Sequence, residues 1–399
     1  MKARTVIRQE AKSLWGEGKG PILTTIAIGW GLIIGVRMIM PVIIPHLQTG
    51  YGLSLSVSGL LMTVLFVFYS VGQLPGGMLT DRYNESTLMV ASLLVTAAAI
   101  GLFTVAPTAI ALFLATVVWG LGSSLFPVAR ITYLSELYPE RLGSASGITL
   151  AASDIGQTVL PPIGVILAAA FAWQLGLGFA IPLLLLASIS LLIFSNQSKT
   201  NRAGSTLSIR EMVMVLEELR KPAIGTVVAV FFLYYFTWQA FTSFYPTYLI
   251  TNKELSSPVA SVVFGFFFAT GVVVKPLSGT AYDRIGIRRS LLSILIPAAG
   301  GFLLLPFIQN VWLIVGVTAL VSMMLGSGAI TQSYLANSLP EEMQGVGLGV
   351  IQTVTSTLAS GGPILFGVIA DHGFLDEGYL ALAVIMAVTV LFIARMPRI

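Results

Sequence analysis

Twelve stretches of this chain are long and apolar enough to cross a lipid bilayer as helices, and no other feature constrains its fold as strongly. They lie at about 22–46, 55–80, 87–106, 109–133, 143–170, 174–195, 222–250, 258–281, 290–308, 311–335, 343–370 and 378–396. A helix rising about 1.5 Å per residue needs roughly 20 residues to span the hydrocarbon core. The apolar runs are continuous rather than alternating, which excludes an outer-membrane β-barrel. The remaining residues cannot furnish a water-facing surface. Charged residues make up 10% of the chain and hydrophobic ones 56%, whereas a soluble domain is about 25% charged. A soluble enzyme, a nucleic-acid binder and a disordered chain are thereby excluded. The fold class expected is an all-α membrane protein with twelve transmembrane helices. With no cysteine in the chain, there is no disulfide and no thiolate metal site.

The basic residues give the orientation. Seventeen of the 21 lysines and arginines fall in the two tails and in the connections on the same side, and only Lys253 falls on the other. By the positive-inside rule both termini are expected in the cytoplasm, with the chain in the plasma or inner membrane. The net charge of +4 is therefore no sign of a nucleic-acid partner. Three basic residues remain, all inside spans.

The sequence also repeats itself. Lys19-Gly20-Pro21 opens the first span and Arg220-Lys221-Pro222 the seventh, 201 residues later. Asp81-Arg82 and Asp283-Arg284 are 202 apart, Pro139-Glu140 and Pro340-Glu341 are 201 apart, and so are Pro162 and Pro363. Four landmarks at nearly one offset argue for a duplicated six-helix unit. The expected organisation is a leader over 1–20, a six-helix bundle over 21–195, a polar cytoplasmic linker over 196–220, and a second bundle over 221–399. Two such halves related by an axis along the membrane normal form a transporter architecture, with substrate held near the midplane between them.

The segment Gly77-Met78-Leu79-Thr80-Asp81-Arg82-Tyr83 resembles the G-x-L-x-D-R-x-G-R-[KR] loop of the major facilitator superfamily. Its second copy runs from Gly279 through Asp283-Arg284 to Gly286 and Arg288-Arg289, and matches the closing glycine and basic pair better. Glu136-Leu137-Tyr138-Pro139-Glu140-Arg141 and the Pro161-Pro162-Ile163-Gly164 run ending in Trp173 extend the likeness over most of the chain. Physically, Gly77 and Gly279 would let neighbouring helices approach closely. Asp81 or Asp283 would cap the positive end of a helix from the other half, and Arg82 or Arg284 would pair with an acid such as Glu136. These groups form a candidate cytoplasmic latch. Arg130, near the cytoplasmic end of the fourth span, is expected to snorkel into the same region.

An ionisable group at the bilayer centre costs roughly 2.5–3.5 kcal/mol on insertion scales and calls for a reason. Counted along their spans, Arg37 lies about 22 Å from the inner surface, Asp154 about 16 Å and Lys275 about 12 Å. The superfamily resemblance implies that helices 1, 4, 7 and 10 line the cavity while 5 and 8 pack across the seam. It would set Asp154 against Lys275, with Arg37 beside them. Their sum of +1 favours an anionic small molecule, most simply a carboxylate. Asp154, the only acid at depth, is the candidate carrier of a coupling proton. Candidate lining residues are Tyr69, Gln73, Gln157, Tyr234, Trp238, Gln239, Gln332 and Gln352, although for any one of them alone helix packing or a ring at the lipid interface is the readier account.

The expected function is secondary transport of an organic anion in symport with protons, by a monomer that needs no cofactor. A drug or cation/proton antiporter would want an unpaired acid on the first or fourth span, and there is none. A membrane enzyme would need a motif such as H-E-x-x-H or G-x-S-x-G, and neither occurs. The helix-5 antiporter signature is partial, since Leu160 replaces its central glycine. Thr116 stands where many proton-coupled members carry an arginine.

Overall fold

The computed structural model describes residues 15–16, 18–80, 82–195, 221–339 and 344–396. Most of the leader, the linker, Asp81 and the Pro340-Glu341 landmark lie outside the described residues. Among the described residues every regular element is a helix. The spans are α1 (Lys19–Tyr51), α2 (Leu55–Thr80), α3 (Glu85–Thr104), α4 (Ala109–Leu137), α5 (Leu142–Ala170), α6 (Trp173–Phe194) and α7 (Pro222–Thr251). After α8 and α9 come α10 (Val311–Ser338), α11 (Gly347–Asp371) and α12 (Leu375–Ala394).

Residues 257–307 form one helical stretch of 51 residues, about 75 Å at 1.5 Å per residue and more than twice a bilayer core. Gly286 breaks it, with φ 77° and ψ 168°. That positive φ suits glycine, which has no Cβ to clash. The stretch is therefore two spans, α8 (257–285) and α9 (287–307), and the described residues hold twelve.

Local chemistry sets several of the boundaries. Asn84, Thr108 and Asn310 each cap the helix that follows by accepting its first free backbone N–H groups. Pro222 sits at the start of α7, where its missing N–H costs nothing. Two interior breaks follow from proline. Pro41 leaves the Arg37 carbonyl without its helical donor, and α1 is interrupted at Met38. Pro363 does the same to Ala359, and α11 is interrupted at Ser360.

Helices α1–α6 pack together as one bundle and α7–α12 as the other, and the two meet through α2 with α11, α5 with α8, and α1 with α7. Residues 19 and 394 share one end, here called the base; the opposite end is the crown. At the crown the halves are closed. A Cβ on Gly59 would collide with the Pro363 carbonyl, and one on Gly367 with the Leu55 carbonyl. Asp371, at the end of α11, accepts the backbone N–H of Leu55 at 2.6 Å and of Ser56 at 3.0 Å, together with the Ser56 hydroxyl. It thus caps the first turn of α2 from across the seam. Deeper in the membrane the Ser356 hydroxyl donates to Ser70 at 2.9 Å between the same two helices.

At the base the picture reverses. Among the described residues nothing lies within 4 Å of where a Cβ would stand on Gly77 or Gly279. Arg82, Asp283 and Arg284 are exposed. Among the described residues the close approach expected at these two glycines is absent. Lys253, the lone basic residue of the crown connections, is buried at 4% exposure and donates to the Pro306 carbonyl at 2.7 Å. Burial pulls its ammonium below the ordinary lysine pKa, and neighbouring Asp376 opposes that shift.

Candidate substrate site

The site is positioned first by how α1 lies on α5. Gly31 and Gly35 of α1 meet Ala152 and Gly156 of α5 backbone to backbone, with no room for a side chain at Gly35 or Gly156. Arg37 stands two residues beyond Gly35 and Asp154 two before Gly156. In these parallel helices Arg37 is therefore about 6 Å nearer the crown.

Asp154 meets Lys275 across the seam. The Lys275 Nζ lies 2.6 Å from Asp154 Oδ1, joining α5 of one half to α8 of the other. The carboxylate is almost fully buried, whereas the Lys275 side chain keeps 32% of its surface exposed. Gln157 steadies the carboxylate from the next turn, its Nε2 3.4 Å from the same oxygen. Tyr234 of α7 stands close to Asp154 from the opposite half.

Arg37 takes a different environment from the one expected. Rather than joining the ion pair, its guanidinium carbon lies 4.2 Å from the centre of the Tyr69 ring and 5.5 Å from that of Phe66. The side chain is 6% exposed and its Nε has no hydrogen-bond partner. Among the described residues it makes no ion pair. Ring faces soften the cost of a buried cation by about 0.5–2 kcal/mol each, and they cannot neutralise it.

The other half contributes aromatic and amide groups from α7 and α11. Trp238 packs 6.1 Å from Phe66 across the seam and 6.3 Å from Tyr235. Tyr69, Arg37 and Gln352 all lie within electrostatic range of the Tyr235 hydroxyl. Sequence reasoning passed over Tyr235; the signal was there, since it precedes Trp238 by three residues and so shares its helix face. Gln332 and Gln352 line a cavity of about 60 Å³ together with Phe231, Leu335, Leu348 and Ile351.

Two of the candidate lining residues point elsewhere. Gln239 is 2% exposed and donates to the Ser356 carbonyl, tying α7 to α11. Gln73 folds back along its own helix to the Tyr69 carbonyl.

Arg130 corrects an expectation outright. It does not snorkel to the base. It is 5% exposed, stacks on Trp30 with its guanidinium carbon 4.5 Å from the ring centre, and donates to the Thr149 hydroxyl. Glu136, by contrast, is exposed at the base end of the same helix.

A sequence model of the major facilitator superfamily matches residues 25–363 and, separately, residues 227–398. The chain belongs to the major facilitator superfamily. Among relatives, the hexuronate transporter of Bacillus subtilis (strain 168) is 21% identical over 377 residues, covering 88% of this chain and 89% of that one. The fosmidomycin resistance protein of Escherichia coli (strain K12) is 24% identical over 371 residues, covering 90% and 88%. Among solved structures, a bacterial homolog of the human lysosomal transporter Spinster, in an inward-facing and occupied conformation, superposes with a TM-score of 0.76. That match has 14% identity and covers 94% of this chain and 95% of the other. The nucleoside transporter NupG, in mutant form, gives 0.79 at 11% identity, covering 94% and 100%. As a superfamily member the protein is a multi-pass transporter of small molecules and not an enzyme, and the cleft between its bundles is where a substrate would sit.

Proposed function

We propose that the protein moves a small organic anion, most simply a carboxylate, through the cell membrane by alternating access coupled to protons, with both termini cytoplasmic. The observation that carries this reading is Arg37. It is a buried guanidinium at the seam that only aromatic rings accompany, and a carboxylate would supply the two acceptors its planar fork lacks. Tyr69 and Tyr235, one from each half, stand beside it, so a bound carboxylate could engage both bundles at once. The named substrate of the Bacillus subtilis relative is a hexuronate, a carboxylate in its own right.

Proton coupling rests on the Asp154–Lys275 pair. While both are charged, the pair ties α5 to α8 across the seam. A proton taken up by Asp154 removes the attraction and leaves Lys275, already part-exposed, free for an anion. In this scheme the base groups act in the opposite half of the cycle. When the crown opens, the halves close at the base, and the loops bearing Asp81, Arg82, Asp283 and Arg284 come together there with Gly77, Gly279 and Glu136 as a latch. Cation/proton exchange has less support, because the acid at depth is already engaged by a lysine.

The test is uptake of glucuronate into liposomes under an imposed pH gradient. The wild-type protein accumulates it. Arg37→Gln loses uptake by about 100-fold or more, the scale of a buried charge-assisted pair, and Asp154→Asn carries substrate without following the gradient. Wild-type accumulation by Arg37→Gln would overturn the anion site, and a preserved pH response in Asp154→Asn would overturn the coupling.

A further inference from the structure

We propose that the site takes a dianion, a short-chain dicarboxylate, with one carboxylate on Arg37 and the second on Arg130. This deepens the anion reading above and rests on it. Arg130 is in the same condition as Arg37. It is 5% exposed, its Nε has no partner, and of its five N–H groups the hydrogen bond to Thr149 uses one. Among the described residues it makes no ion pair. Removing the partner of a buried charge costs several kcal/mol, so two arginines buried without acids describe a protein whose counter-ions arrive from outside.

The two guanidiniums converge. Helix side chains lean toward the N-terminus of their helix. Arg37 sits on α1, which runs from base to crown, and so leans toward the base. Arg130 sits on α4, which runs from crown to base, and so leans toward the crown. Tyr69 bears on both, its ring against Arg37 and its hydroxyl within electrostatic range of Arg130. Arg130 stacks on Trp30, seven residues before Arg37 on the same face of α1, an axial step of about 10 Å. A short chain with a carboxylate at each end can reach both forks once the half-buried Tyr69 ring turns aside. The balance of charge agrees for the conformation seen here: with the Asp154–Lys275 pair intact, Arg37 and Arg130 remain as two uncompensated cations.

The experiment is calorimetric binding of malonate, succinate, glutarate and adipate, each against the monocarboxylate of equal chain length, on the purified full-length protein. In the wild type at least one dicarboxylate binds about tenfold or more tightly than its monocarboxylate, roughly 1.4 kcal/mol. In Arg130→Gln that ratio falls to about one, and Arg130→Lys, which keeps the charge on a differently shaped head, retains part of it. Thermal unfolding of the Lys variant confirms that it folds. Equal affinity for the two classes in the wild type, or an unchanged ratio in Arg130→Gln, overturns the dianion proposal while the anion site at Arg37 stands. If no carboxylate binds and Arg37→Gln changes nothing, both readings fall together.

Discussion

The two ends of the α2–α11 seam are built from the same two helices and behave oppositely. At the crown their backbones come close enough that neither Gly59 nor Gly367 could carry a side chain, and Asp371 of α11 caps the free N–H groups of α2. At the base, among the described residues, Gly77 of α2 has open space beside it, and Arg82, Asp283 and Arg284 are exposed. A pair of helices closed at one end and parted at the other is the geometry of a rocking seam. The crown contacts are those that must break when the seam rocks. A carboxylate cap at a helix N-terminus contributes about 0.5–2 kcal/mol, and its charge on the helix dipole about 0.3–1 kcal/mol more. Two conformations of a transporter differ by only a few kcal/mol, so a cap of this size sets which end is open.

The largest effect should come from filling the crown contact. Gly59→Leu puts a side chain where the Pro363 carbonyl lies, so the crown cannot close as it does here and transport should fall by more than tenfold. The chain contains no cysteine, so single cysteines introduced at crown or base report each end by their rate of alkylation. Gly59→Leu should raise labelling at the crown. Gly77→Ala, at the open end, should leave crown labelling as it is. Equal effects from the two would erase the contrast between the ends. Next in size is Asp371→Ala. Loss of the cap, about 1–3 kcal/mol in all, should shift the population toward a crown-open state by roughly tenfold, read as faster crown labelling and slower base labelling. Unchanged labelling at both ends would show that the glycine contacts alone hold the crown shut.

Much of this was legible in the sequence, and the parts that were not have physical causes. The spans announce themselves because a bilayer demands about 20 apolar residues for each crossing. The break between α8 and α9 was marked by the gap in hydropathy around the second Asp-Arg turn, and Gly286 supplies the backbone that makes it. The meeting of Asp154 and Lys275 followed from their depths and from the superfamily arrangement. Arg130 was misplaced because depth was weighed without direction. Snorkelling to the base would have run against the lean of side chains on a helix that descends from the crown. The crown cap was invisible for another reason. The repeat test finds only what both halves share, and the positions 201 and 202 residues before Asp371 are Ala170 and Ala169. The cap exists once, so duplication does not reveal it.

The smallest effect, and the finest probe of the comparison, lies between the two ends. Ser356 donates to Ser70 across the seam, and among the described residues it is the one side-chain hydrogen bond between α2 and α11 away from the crown. Its partners are both buried, yet a neutral hydroxyl pair contributes only about 0.5–1.5 kcal/mol, and a serine can return its hydroxyl to its own helix. Ser356 already approaches the Thr353 carbonyl at 3.3 Å, so Ser70→Ala leaves it an acceptor within α11. The expected change in crown labelling is therefore about twofold, in the same direction as Asp371→Ala. The double variant discriminates further. If the seam rocks as a unit, both contacts are lost in the same transition, and their effects on the closed-to-open ratio should multiply. If Ser70→Ala changed crown labelling as much as Asp371→Ala does, the seam would be held from its middle, and the crown cap would be a consequence of closure rather than part of what holds it.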